Sequence, residues 1–275
     1  MYAPMLAAPF KGLDVRPYLE SGRHCFQQKF DGDRLMAVWR PGARVQFVTR
    51  NGTVYTRKIP AALRDLHRPA WDDTSTIIID GELVGDTWYV FDFLVTRFGE
   101  ASDPQPYEER RRRLVSRVPA HRKAMITLVP EVRTPDLKAL FLEQALERHA
   151  EGIVVKTLDS KYRFGARSNH WLKIKFERTA DVIIRSVRQK GKESAEMVMH
   201  DPDSPNPIVF VGDVSILGKS KESVQPGQVA EVKYLYATDD HILYQPRILR
   251  VRDDKAPSEC TVDQLVYTDK GVLIR

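Results

Sequence analysis

The sequence predicts an α+β fold in two parts, sheets flanked by helices over residues 1–177 and a small all-β part over residues 178–275. Strand-like runs alternate with two helical ones in the first part, and helical periodicity stops after about Arg178. With 42% hydrophobic and 29% charged residues, a chain of 275 residues can bury a core in each part.

The elements follow in order. Cys25 to Gln28 and Arg34 to Trp39 are short β-prone runs on either side of an Asp-Gly bend. Arg44 to Thr49 and Thr53 to Thr56 flank Arg50-Asn51-Gly52, and Asn-Gly between β-prone runs signals a hairpin. Thr76 to Ile79 is continuously apolar, as a buried strand is, and Trp88 to Val95 reads as the next strand. Pro106 to Val118 and Pro135 to His149 read as helices that flank the sheet. In the second, Leu137, Leu140, Phe141 and Ala145 share one face. Ile153 to Lys156 and Trp171 to Phe176 return to strand character. Beyond them, Asp181 to Arg188, Glu196 to Met199, Pro207 to Ile216, Gln228 to Tyr236 and Arg247 to Val251 form the pattern of a small β-barrel. Asp201 to Pro207 reads as a loop.

Composition narrows the function. Lysine and arginine number 43 against 37 acidic residues, and the net charge of +6 suits a polyanionic partner. No apolar run is long enough for a membrane span, and no basic segment followed by an apolar one opens the chain, so an intracellular, soluble protein is expected. Cys25 and Cys260 lack metal-ligand spacing and read as reduced packing residues.

The chemistry concentrates in Lys29-Phe30-Asp31-Gly32-Asp33-Arg34. A lysine whose pKa is lowered by nearby cations and burial is a nucleophile, and the planar fork of Arg34 suits phosphate oxygens. Taken alone, K-x-D-G-x-R could be a solvated hairpin turn. It is followed in order by Thr49-Arg50-Asn51-Gly52, Asp80-Gly81-Glu82-Leu83-Val84, Val90-Phe91-Asp92-Phe93, Glu151-Gly152-Ile153-Val154-Val155-Lys156, Trp171-Leu172-Lys173-Ile174-Lys175 and Arg252-Asp253-Asp254-Lys255. This series resembles the ATP-dependent DNA ligases of the covalent nucleotidyltransferase superfamily, and the resemblance covers almost the whole chain.

The resemblance implies an adenylation domain over 1–177, built of antiparallel sheets with flanking helices, and an OB-fold domain over 178–275. It also implies that Lys29 attacks the α-phosphorus of ATP to form a lysyl-adenylate, passes AMP to a 5′-phosphate, and lets a 3′-hydroxyl displace it. Lys173 and Lys175, two apart on a strand and so on one face, would lie beside the α-phosphate. Glu151 would bind Mg²⁺ or Mn²⁺. Glu82 would take the ribose and share in metal binding. Phe91 would stack on adenine, although a strand phenylalanine also reads as core. Arg34 and Arg50 would bind the sugar-phosphate of AMP and the nick 5′-phosphate, with Arg50 equally readable as a turn arginine. Arg252, Asp254 and Lys255 match a mobile carboxy-terminal element that brings cations onto the leaving pyrophosphate.

One position departs from the pattern. Many members carry glutamate two residues before the lysine, where this chain has Gln27, whose amide oxygen can still accept from the adenine amino group. The run Glu108 to Arg113 reads as a solvated helical face in preference to a DNA contact. The 28 residues ahead of Lys29 leave no room for an added amino-terminal module, which argues against an NAD-dependent ligase. The expected partner is nicked duplex DNA, and the expected active species is a monomer. An RNA ligase or capping nucleotidyltransferase would share the lysyl-nucleotide step, and a catalytically inactive OB-containing binding module is the reading from another class.

Overall fold

Residues 2–267, apart from 13, 57–58, 65, 98–99, 101, 118–124, 189–192 and 217–223, are described in a computed structural model. The chain divides into two compact units, one built from Met1–Ala145 and Gly152–Ile174, the other from Leu146–Glu151 and Lys175–Gly271.

In chain order the first unit contains β1 (Leu6–Pro9), α1 (Arg16–Glu20), β2 (His24–Gln28), β3 (Asp33–Trp39), β4 (Gln46–Val48), α2 (Ala61–Arg64), β5 (Thr76–Val84), β6 (Thr87–Thr96), β7 (Ser102–Asp103), α3 (Tyr107–Arg117), β8 (Ile126–Leu128), α4 (Pro135–Glu147), β9 (Gly152–Thr157), β10 (Tyr162–Arg163) and β11 (Arg167–Lys175). Four strands pair in the order β1-β11-β9-β2 and five in the order β4-β3-β5-β6-β8, while β7 and β10 form a small ribbon. The sheets are mixed and not purely antiparallel as expected, because β1 runs parallel to β11 and β8 parallel to β6. Apolar patterning sets which face a residue takes, not the direction of its partner strand.

The five-stranded sheet is buried on both faces, which is why its strands read as nearly continuous apolar runs. Leu35, Ala37 and Trp39 of β3 enter one core with Ile77, Ile79, Trp88, Val90, Phe93 and Leu114. Met36 and Val38 enter the other with Ile78, Phe91 and Leu94, where Met5, Cys25 and Trp171 join them. Since Cys25 lies on β2 and Trp171 on β11, this second core is the interior between the two large sheets.

Two helical expectations are corrected. In α4 the buried residues are Lys138, Phe141 and Ala145, whereas Leu137 and Leu140 are 47% and 45% exposed. Lys138 Nζ donates to Ser21 O at 2.6 Å and Tyr18 O at 3.1 Å, satisfying carbonyls at the end of α1. That docking favours the face of Lys138, Phe141 and Ala145, so two of the four expected residues stay buried while Leu137 and Leu140 turn outward. In α3 the arginine run is not a solvated face. Arg110 is fully buried and bidentate to Asp92 of β6 at 2.9 and 3.0 Å, and the buried Arg111 donates to Val129 O at 2.7 Å. Only Arg112 is exposed among the four arginines, because α3 lies against the sheet that carries Asp92.

The second unit holds β12 (Arg178–Arg188), β13 (Ser194–His200), β14 (Ile208–Ser215), β15 (Val229–Tyr234) and β16 (Arg247–Arg252), an antiparallel sheet ordered β14-β13-β12-β15-β16. Alternation places Ala180, Val182 and Ile184 of β12 in one core with Met197, Met199, Val211, Val232 and Tyr234. Among the described residues no ladder joins β14 to β16, so the structure gives a five-stranded sheet and not a closed barrel. Both cysteines are free and buried. No helix among the described residues is long and apolar enough to cross a membrane.

Candidate active site

In the first unit the site begins where β2 ends. The backbone N–H of Lys29 donates to Gly152 O at 2.9 Å, which ties the lysine to the start of β9, and Lys29 Nζ reaches Phe30 O at 3.5 Å. The bend that follows needs glycine. A Cβ on Gly32 would run into Leu83 O and the Val84 side chain at the end of β5. Asp31-Gly32 therefore presses the bend onto β5 and starts β3 in a register that sets Arg34 directly opposite Glu82.

Arg34 is held by Asp80, a residue to which the sequence alone assigns no role. Its Nε and Nη2 donate to Asp80 Oδ1 and Oδ2, both at 2.7 Å. The Asp80 side chain is fully buried, and its Oδ2 also accepts from Tyr162 Oη at 2.6 Å. Tyr162 Oη in turn accepts the Met5 N–H at 2.8 Å. A bidentate pair to a buried carboxylate fixes the plane of the guanidinium. That plane lies with Arg34 Cζ 4.5 Å from the centroid of the Phe91 ring, a cation–π distance.

Phe91 is only 9% exposed. Besides Arg34, its ring meets the edge of Trp171 at 6.2 Å and has Lys156 Nζ 4.5 Å from its centroid. Lys156 is buried among Phe91, Tyr107 and Trp171, with Nζ 4.0 Å from the centroid of the Trp171 ring, and has no hydrogen-bond partner among the described residues. Burial pulls its pKa down to about 7. Gln27, also buried, leaves its amide nitrogen unpaired among the described residues. Glu82 is half-buried on β5, Lys173 is half-buried on β11 beside Pro9 of β1, and Arg50 is exposed at the turn before Gly52. That turn closes through Thr49 N–H to Thr53 O at 2.8 Å with Gly52 at φ +79°, and its second arm is reduced to a bridge at Val54. Gln27, Arg34, Glu82, Phe91 and Lys173 thus lie on the two large sheets, with Lys29 just past the end of β2 and Arg50 at a turn beyond β4.

The second unit carries the other predicted residues. Glu151 is buried, and Lys175 Nζ lies 3.8 Å from its Oε1 while donating to Gln245 Oε1 at 2.8 Å. Arg252 is bidentate to Asp254 at 2.7 and 2.8 Å, and its hydrogen bonds hold the Asp254 carboxyl down to about 2. Arg252 and Lys255 both also reach Asp181 on β12.

Asp80, Tyr162, Lys156, Trp171 and Asp181 are the neighbours that sequence reasoning did not assign. The available signal was a charged residue ending an apolar strand run, as Asp80 follows Ile77-Ile78-Ile79 and Lys156 follows Ile153-Val154-Val155. A lysine at a bend, a clamped arginine and an in-register carboxylate make this the part of the first unit best suited to a phosphorylated ligand. The chain belongs to the ATP dependent DNA ligase domain family, whose pattern matches residues 4–88 and 86–175. A probable DNA ligase from Anaeromyxobacter sp. (strain K) is 29% identical over 217 residues, covering 66% of this chain and 40% of that protein. DNA ligase 1 of Korarchaeum cryptofilum (strain OPF8) is 24% identical over 336 residues, covering 94% of this chain and 59% of that protein. The chain therefore spans 40% to 59% of the length of these two curated relatives. A mycobacterial DNA ligase D, solved with ATP and MES, shares the fold at a TM-score of 0.51 and 24% identity, with 94% of this chain and 97% of that one covered.

Proposed function

We propose that this protein seals nicks in duplex DNA with ATP, through AMP carried on Lys29. The observation that carries the reading is the register that sets Arg34 opposite Glu82 at the bend whose first residue is Lys29. In the first step the Lys29 amine attacks the α-phosphorus of ATP, so that a P–N bond forms and the bond to pyrophosphate breaks. A 5′-phosphate oxygen then takes the AMP, breaking the P–N bond. Finally the 3′-hydroxyl attacks the 5′-phosphorus and AMP leaves. Charge grows on phosphoryl oxygens in each step, so the protein's work is positioning and electrostatic stabilisation.

In this reading Lys173 and Lys175 stabilise the α-phosphate, Arg34 and Arg50 bind the sugar-phosphate and the nick 5′-phosphate, and Glu82 accepts from the ribose. Gln27 and Phe91 face the adenine. The unpaired amide nitrogen of Gln27 supports a ligand-facing role, since a buried donor without an acceptor is costly. Arg252, Asp254 and Lys255 serve the leaving pyrophosphate. Glu151, a buried carboxylate, fits a hard cation that takes one or two carboxylates and completes its shell with substrate phosphates, and Glu82 is the second candidate. Among the described residues no group of three or more metal-ligating side chains gathers, so the phosphates would supply the remaining oxygens. Mg²⁺ or Mn²⁺ there would neutralise charge on the triphosphate.

We assign the adenylation domain to 1–177 and an OB-fold domain to 178–275, the latter supported by five antiparallel strands around one core. DNA as substrate implies an intracellular site of action. Sealing of a nicked all-DNA duplex with ATP and Mg²⁺ tests the reading. Preference for a nicked RNA duplex, or for GTP, would replace it with an RNA ligase or capping activity.

A further inference from the structure

Arg252 and Lys255 do not stand alone in the second unit. Asp181, inward from the sheet edge on β12, accepts Arg252 Nη1 on Oδ1 at 3.3 Å and Lys255 Nζ on Oδ2 at 2.6 Å. Its side chain is 9% exposed, against 68% for Asp254, the other carboxylate on Arg252. Its backbone is fixed as well. Asp181 N–H donates to Gln264 Oε1 at 3.0 Å, and Gln264 Nε2 donates to Glu259 O at 2.8 Å. The strand position is locked by pairing with Glu231 of β15.

We propose that Asp181 is a positioning residue that holds Arg252 and Lys255 on one carboxylate as a preassembled two-cation clamp for the leaving pyrophosphate. The inference rests on the reading that these two cations face pyrophosphate when ATP loads Lys29. Two cations placed this close repel each other, and a shared carboxylate offsets that repulsion while setting their spacing. Asp254 cannot do this alone, because among the described residues its hydrogen bonds go to Arg252 and not to Lys255, and its exposure to water screens the contact. Arg252 uses Nε, one Nη1 proton and one Nη2 proton on the two carboxylates, and Lys255 uses one of three protons on Asp181. Both therefore keep N–H groups for a third anion. The raised pKa of Lys255, caused first by its hydrogen bond to Asp181, is consistent with a cation kept charged.

The test uses the whole chain and Asp181→Asn, which keeps the shape and removes the charge. Self-adenylation by ATP should slow by about 10-fold to 100-fold in its single-turnover rate constant, the scale of a misplaced catalytic group. The pyrophosphate concentration needed to strip AMP from the adenylated enzyme should rise. Sealing of a nick already carrying AMP on its 5′-phosphate should change by less than about twofold, since no pyrophosphate leaves in that step. Combined with Lys255→Ala, the Asn variant should add less than it costs alone, as for residues acting through one another.

A loss of both activities in equal measure would mark Asp181 as structural and overturn the inference. So would an Asn variant that adenylates as fast as the parent, or faster, the latter showing that Asp181 restrains the cations. If the Asn variant melts early, Asp181→Glu, which moves the charge out by one methylene, takes its place: slowed adenylation with sealing intact supports the clamp, and equal loss or no loss overturns it. Arg252→Ala/Lys255→Ala separates the levels: normal adenylation by it removes the underlying reading, whereas its failure beside a fully active Asn variant removes only the role of Asp181.

Discussion

Replacing Lys156 with methionine should stabilise the protein, and most strongly below neutral pH. The ammonium is buried among Phe91, Tyr107 and Trp171 with no hydrogen-bond partner among the described residues, and its pKa is pulled down to about 7 by burial. An unfolded lysine titrates near 10.4, so the difference is about 3.5 units at about 1.4 kcal/mol each, or roughly 5 kcal/mol when the group is protonated in both states. The unfolded chain binds the extra proton between the two pKa values. The penalty is therefore complete below pH 7, shrinks as pH rises, and vanishes near 10.4. Methionine keeps the length and removes the charge. Urea unfolding of the two proteins should show a gap of at most about 5 kcal/mol at pH 6, narrowing to about 2 kcal/mol at pH 9. The rings under the ammonium return part of the cost, which makes these values ceilings. A gap that does not change with pH, or a less stable methionine variant at pH 6, would refute the reasoning.

Two further outcomes follow from the same physics. Asp92→Ala leaves the fully buried Arg110 without its carboxylate and should cost about 3–5 kcal/mol in urea unfolding, and a loss below about 1 kcal/mol would mean that the pair is solvated. Binding to a nicked duplex should weaken with salt, with a log–log slope of magnitude roughly 4 to 8 if about five to nine phosphates are contacted, and a flat plot would point to a partner other than duplex DNA.

Much of this architecture is legible in the sequence, for identifiable reasons. The strands of the second unit fall close to the predicted runs, and on β12 the alternation of Ala180, Val182 and Ile184 into the core is visible in the sequence. The buried character of β5 follows from Ile77-Ile78-Ile79. What stayed hidden depends on partners distant in the chain. Arg34 meets Asp80 across 46 positions, and Lys138 meets Ser21 across 117, and no local pattern encodes either contact. The second of these turns α4 so that Leu137 and Leu140 face outward. The arginine run of α3 has the composition of a solvated face, and Arg110 is held inside by Asp92 on a neighbouring strand and by the carbonyls of Gln105 and Ser160. The ordered spacing of the motifs is what nominates the candidate site residues, while the groups that hold two of them, Asp80 on Arg34 and Asp181 on Arg252, emerged only with the fold.

The most direct measurement of the central claim is covalent labelling. The protein is incubated with ATP labelled at the α-phosphate and Mg²⁺, denatured, and resolved on a gel, beside a Lys29→Ala variant whose fold is checked by circular dichroism. The account predicts a labelled band for the parent, released by pyrophosphate or by a nicked duplex, and none for a folded Lys29→Ala. Labelling of that variant at the level of the parent would place the nucleotide on another residue and contradict the account.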